Sequence, residues 1–123
     1  MANTVPFKLI TPTQVAYEGD AELVIAVTTE GEEGILSSHA PFLAALKPGV
    51  LRANVVENGA TSRLEMATGE GFMQALPDGV TILVDRALRF EDVDVAATRE
   101  ELAAATDTAT IDFANAKLRL TGH

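Results

Sequence analysis

Apolar and polar residues alternate along much of the first ninety positions. In "AELVIAV", Leu23, Ile25 and Val27 fall on one face of an extended chain, because successive side chains point to opposite sides. Leu51, Ala53 and Val55 repeat the period, and Leu64 with Met66 repeats it again. "VTILV" is apolar on both faces, the pattern of a more deeply buried strand. The strand-like runs are "FKLIT", "AELVIAVTT", "GVLRANVV", "SRLEMAT", "GFMQAL" and "VTILVDRAL". Between them stand "YEGD", "EGEEG", "KPG", "ENGA", "GEG" and "PDG", where Gly, Pro, Asn or Asp lets the chain reverse. Many short strands at close spacing predict an antiparallel β-sandwich or flattened barrel.

The pattern changes near Phe90. "EDVDVAATREELAAAT" is Ala-rich and free of Gly and Pro, and Asp94 or Thr98 can cap a helix there. Thr98 with Glu101 three residues on has the spacing of a capping box. After "DTAT" comes "IDFANAKLRLTG", with Ile111, Ala114 and Leu118 on one stripe, Lys117 and Arg119 in the last turn, and Gly122 as a stop. The expected organisation is a β-sandwich over residues 1–88 followed by a two-helix hairpin over residues 89–123. Its apolar stripe is thin, so the hairpin must draw its stability from docking.

Composition narrows the function. With 123 residues the chain is one compact domain plus a modest appendage. It has no cysteine, which excludes disulfides and Cys-based metal or redox sites. No run approaches the ~20 apolar residues of a membrane span, and "MANTVPFKLI" lacks the basic-then-apolar order of a signal peptide. A formal charge of −9 argues against nucleic acid and against direct membrane insertion or binding to anionic lipid. Any association with a membrane must then pass through a protein partner.

The densest chemistry lies in "TTEGEEGILSSHAP", from Thr28 to Pro41. The chain's two histidines are His39 and the terminal His123, too few beside scattered carboxylates for a metal site. Ser38 and His39 are adjacent, so in an extended segment they point apart; Ser37 and His39 share a face but lack a nucleophile-elbow motif. The glycines of "TGEGF" precede a strand rather than a helix, so they make no phosphate cradle. No catalytic residue, cofactor or metal is expected. A contact loop fits better: Gly31 and Gly34 permit a tight projection, Glu30, Glu32 and Glu33 keep its tip polar, and "HAPF" turns the chain back so that Phe42 meets the core. The competing reading is a free-standing β-sandwich ligand-binding or hydrolytic domain that uses His39 and the neighbouring acids.

Two long stretches, "FKLITPTQVAYEGDAELVIAVTTEGEEGILSSHAPFLAALKPGVLR" and "GEGFMQALPDGVTILVDRA", resemble the epsilon subunit family of F-type ATP synthases, the counterpart of the mitochondrial delta subunit. The specific features are "EGEEGIL", "HAP", "L-x-PG" and a later "GF" followed by "ILVDRA", in the family's order across most of residues 7–88. The resemblance implies a ten-stranded sandwich with a helical hairpin. It also implies a non-catalytic central-stalk (rotor) subunit that couples rotation of the membrane ring to the catalytic head. It implies a peripheral position on the cytoplasmic face of a bacterial inner membrane. The partners it implies are the gamma subunit and the c-ring, with the catalytic beta subunit a further candidate through the C-terminal helices. By the same resemblance Glu30, Gly31, Glu32 and Glu33 face the c-ring, and Ser38, His39, Ala40 and Pro41 face gamma.

Two departures stand out. Several family members bind ATP through a motif resembling Ile/Leu-Asp-x-x-Arg-Ala. Here the stretch is "VDVAAT", so Asp94 is kept but Ala97 replaces the Arg and Thr98 the Ala, and ATP binding is not expected. From Glu91 onward there are seven acids and three bases (Arg99, Lys117 and Arg119), a poor balance for gripping an acidic partner.

Overall fold

A computed structural model describes residues 3–37 and 39–122. Nine strands precede two helices: β1 (Val5–Thr11), β2 (Gln14–Thr28), β3 (Gly31–Leu36), β4 (Phe42–Leu46), β5 (Gly49–Glu57), β6 (Ala60–Thr68), β7 (Gly71–Leu76), β8 (Gly79–Val84), β9 (Ala87–Arg89), α1 (Val95–Ala104) and α2 (Thr108–Leu120). The described residues thus hold nine strands, not ten. The strands run β1-β8-β7-β4-β2-β5-β6-β9, with β3 also on β2, and β1 pairs with β2 as well as β8. The long β2 ties the layers together: residues 14–21 pair with β1, and residues 20–28 serve β5 and β3. The ladder is not wholly antiparallel as expected, because β1 and β8 run parallel, Phe7 beside Val80 and Leu9 beside Ile82.

Alternation put the right side chains inside for β5 and β6, and β1 joins them with its own alternating face. Val5, Phe7 and Leu9, Leu51, Ala53 and Val55, and Leu64 and Met66 are all buried in one core. For β2 the core face is Ala21, Val24 and Ala26, while Leu23, Ile25 and Val27 share the opposite, half-buried face. A register shift against β5 between Ala21 and Leu23 marks the bulge that lets the strand change phase.

Local turn signals hold where nothing longer-ranged competes. "ENGA" makes a two-residue hairpin with Asn58 at φ 52° and Gly59 at φ 78°, the left-handed pair that matches strand twist. "YEGD" is no turn: Tyr17 to Asp20 are paired residue by residue with Leu9 to Pro6, and the reversal falls instead at Pro12 and Thr13. Ladder hydrogen bonds there outweigh the weak strand propensity of Gly and Asp. "VTILVDRAL" is two strands, not one. Asp85 N–H donates to the Glu70 carbonyl and Gly69 N–H to the Arg86 carbonyl, both at 2.9 Å, which turns the chain from β8 to β9.

Both helices start at an aspartate. Asp94 accepts from Ala97 N–H at 3.0 Å, and Asp107 accepts from Thr110 N–H at 2.9 Å. Thr98 does not cap: it is buried inside α1, with its hydroxyl donating to the Asp94 carbonyl, so the Thr98–Glu101 capping box does not form. Gly122 takes φ 82° just past α2 and stops it. The docking stripe of α2 also differs from the Ile111–Ala114–Leu118 line. Phe113, Ala114, Ala116 and Lys117 are its buried residues, and Phe113 and Ala116 meet Ala67 of β6 beside Val50, Leu88 and Leu120.

Candidate interaction surface

The segment read as an acidic loop is a hairpin. Residues 31–36 pair with β2 from Thr28 to Leu23, so "EGEEG" is strand after a two-residue turn at Thr29 and Glu30. Gly31 takes φ 122°, which an L side chain rarely adopts. Gly34 needs no special angle; it sits opposite Ile25 in the ladder. Thr28 fixes the tip: its hydroxyl donates to the Gly31 carbonyl at 2.7 Å and accepts from Glu30 N–H at 3.1 Å. Thr29 N–H donates to the Ala45 carbonyl, and Lys47 N–H to the Val27 carbonyl, so β4 braces the base of the turn. Glu30, Gly31, Glu32 and Glu33 are all exposed on this braced hairpin. Glu32 meets the Arg52 guanidinium at 2.7 Å, which holds its carboxylate at the surface of β5.

The "HAP" segment lies at the other end of β3. The six residues of β3 run roughly 20 Å from the Gly31 turn toward it at ~3.4 Å per residue, with Glu32 and Glu33 on the way and three strand residues, Gly34 to Leu36, beyond Glu33. The two candidate groups are therefore not brought together. His39 is half-buried and bonds through Nδ1 to the Leu36 carbonyl at 2.9 Å, which places the ring proton on that nitrogen. Ala40 and Pro41 are exposed. Ser38 and His123 lie outside the described residues.

Next to "HAP" is a feature that sequence reasoning misread. The outer face of β4, β7 and β8 carries Leu43, Phe72 and Leu83, with relative exposures of 69%, 58% and 49%. Cross-strand register places them together: Phe72 is opposite Leu83, and Leu43 is opposite Gln74, two residues from Phe72 on the same side. Ala45 and Leu76 continue the face. "VTILV", apolar on both faces, was expected to be a more deeply buried strand; Val80, Ile82 and Val84 are buried on one face, but Leu83 on the other opens to solvent. The apolar outer side of this strand was the available signal. A contiguous apolar face on a small domain marks an interaction site.

The far side of the sandwich is covered by α2. The Arg86 guanidinium and the Lys117 ammonium both lie against the Phe113 ring, at 4.2 and 5.0 Å from its centre. Lys117, placed by the sequence in the last turn, is buried and meets Glu101 of α1 at 3.0 Å. Asp94, whose carboxylate receives Ala97 N–H, is engaged as a cap.

Residues 4–90 match the family model for the ATP synthase delta/epsilon chain, beta-sandwich domain. The ATP synthase epsilon chain of Chromobacterium violaceum is 39% identical, over 89% of this chain and 79% of that one. The ATP synthase epsilon chain of Teredinibacter turnerae is 35% identical, over 98% and 87%. In fold, the chain is similar to one in the Euglena gracilis mitochondrial ATP synthase, with TM-score 0.66, 19% identity and coverage of 99% and 79%. It is also similar to one in the Tetrahymena thermophila central stalk and c-ring, with TM-score 0.64, 18% identity and coverage of 96% and 93%.

Proposed function

Because the chain belongs to the ATP synthase delta/epsilon family, we propose that it works as a central-stalk subunit whose two exposed surfaces meet two different partners. As a family member it is a non-catalytic subunit of the rotary complex, and the reading of a free-standing hydrolytic domain falls with that membership. The apolar face of Leu43, Phe72 and Leu83 carries the proposal. Its burial would recover roughly 25 cal/mol per Å² of apolar surface, the ordinary source of association energy. The face begins two residues after Pro41, so "HAP" and the apolar face suit one partner, the gamma subunit. The acidic hairpin turn, at the opposite end of β3 from "HAP" and braced at its base by β4, suits a second, the c-ring.

The division of labour follows from physics. Rotation must be transmitted without slack, and a hairpin braced by Thr28 and β4 resists bending better than a free loop. Its exposed carboxylates suit polar or basic headgroup-side loops of the ring, not hydrocarbon. No described helix is long and apolar enough to cross a membrane. Held between gamma and the ring, the subunit is peripheral to the membrane. The bacterial relatives support the cytoplasmic face of an inner membrane. Contact between the tail and a catalytic beta subunit would require release of the docked hairpin. With Lys117 committed to Glu101, only Arg99 and Arg119 of the three tail bases remain at the surface.

The test is Phe72→Glu, made in the full chain and reassembled with gamma and the ring. The isolated subunit should keep its melting temperature, since the ring is exposed, and should fail to join the complex. A normally assembled, coupled enzyme would overturn the proposal.

A further inference from the structure

We propose that the helical tail opens in two stages, α1 first and α2 second, and that the Glu101–Lys117 ion pair is the latch of the first stage. The inference goes beyond the stalk reading and does not depend on it. The two helices are held by different things. α2 packs on β5 and β6, where Phe113 and Ala116 enter an apolar cluster with Ala67. α1 packs chiefly on α2 and, among the described residues, contributes nothing to either apolar cluster. Its one buried residue is Thr98, whose hydroxyl is satisfied inside its own helix by the Asp94 carbonyl at 2.7 Å.

Among the described residues, one side-chain hydrogen bond joins the helices, from Lys117 Nζ to Glu101 Oε2 at 3.0 Å. The two partners are unequal: the Lys117 side chain is 7% exposed and that of Glu101 45%. With α1 in place, the ammonium is shut in against Phe113 and needs the carboxylate, since a buried charge stripped of its partner is costly. When α1 leaves, both charges regain water, and α1 takes with it no member of either apolar cluster. Phe113 stays beneath α2 with Arg86 on its ring. Lifting α2 instead uncovers a large aromatic ring and the Ala67 patch. Opening free energies differ between such units, and the unit with fewer buried apolar contacts opens first.

Native-state hydrogen exchange on the full chain tests this. Amides of residues 99–104 should exchange at least about tenfold faster than those of residues 112–117. Glu101→Gln should speed the first set about threefold or more and leave the second set, and those of β5 and β6, within a factor of about two. Phe113→Ala should speed both sets. Equal rates for the two helices in the unaltered chain would overturn the proposal. So would Glu101→Gln accelerating both helices alike or neither.

Discussion

The guanidinium of Arg86 stands 4.2 Å from the centre of the Phe113 ring, joining the corner between β8 and β9 to the middle of α2. Phe113 is the one large side chain that α2 buries against the sheet. Phe113→Ala should cost roughly 3 kcal/mol of tail docking, the low end for losing a buried Phe. Arg86→Ala should cost about 0.5–1 kcal/mol, the range for a partly exposed cation over a ring. Helix-specific circular dichroism against denaturant checks both. The helical signal of Phe113→Ala should be lost before the sheet unfolds; a single unchanged transition would contradict the assignment.

Glu32 and His39 are expected to matter for assembly rather than folding. The Glu32–Arg52 pair is short, but its carboxylate side chain is more than half exposed, so its loss should cost at most about 1 kcal/mol. The double change Glu32→Ala and His39→Ala should therefore leave the isolated subunit folded and weaken coupled ion pumping in the reassembled enzyme. A fully coupled double variant would remove both residues from the interface.

ATP should bind no tighter than the millimolar range. Triphosphate recognition leans on charge-assisted contacts from Arg. Ala97 supplies no side-chain donor, and the Asp94 carboxylate is occupied by the Ala97 N–H at 3.0 Å. Calorimetry with ATP and magnesium is the measurement, and a micromolar constant would show that another Arg takes the role.

The N-terminus of α2 should loosen in acid. The Thr110 hydroxyl and N–H both donate to Asp107, at 2.8 and 2.9 Å, and these bonds hold its carboxyl below the usual range. A depressed folded-state value means that the stabilisation is complete above the unfolded value, about 3.9 for Asp. It is lost as pH falls through the lower folded one. Thr110→Val removes the hydroxyl bond and should move the Asp107 titration back toward the ordinary value. Carboxyl carbon NMR reads this directly, and an unmoved titration would refute the cause.

Sequence alone determined whatever depends on a few neighbouring residues. Period-two alternation selected the buried faces of β5 and β6, "NG" selected a left-handed hairpin turn, and Asp94 was one of two residues offered as the first helix's cap. The motif order of residues 7–88 also carried the family. Tertiary structure decided everything that required a distant partner. Pairing with β1 held "YEGD" extended, and pairing with β2 turned "EGEEG" into strand, because ladder hydrogen bonds outweigh local turn preference. The parallel β1–β8 contact joins residues some seventy positions apart. The burial of Lys117 waited on Glu101 and Phe113. The outer face of β8 was apolar in the sequence, but that it stands open rather than covered is a fact about which layer has α2 over it. The helix lies on β5 and β6, leaving Leu43, Phe72 and Leu83 exposed.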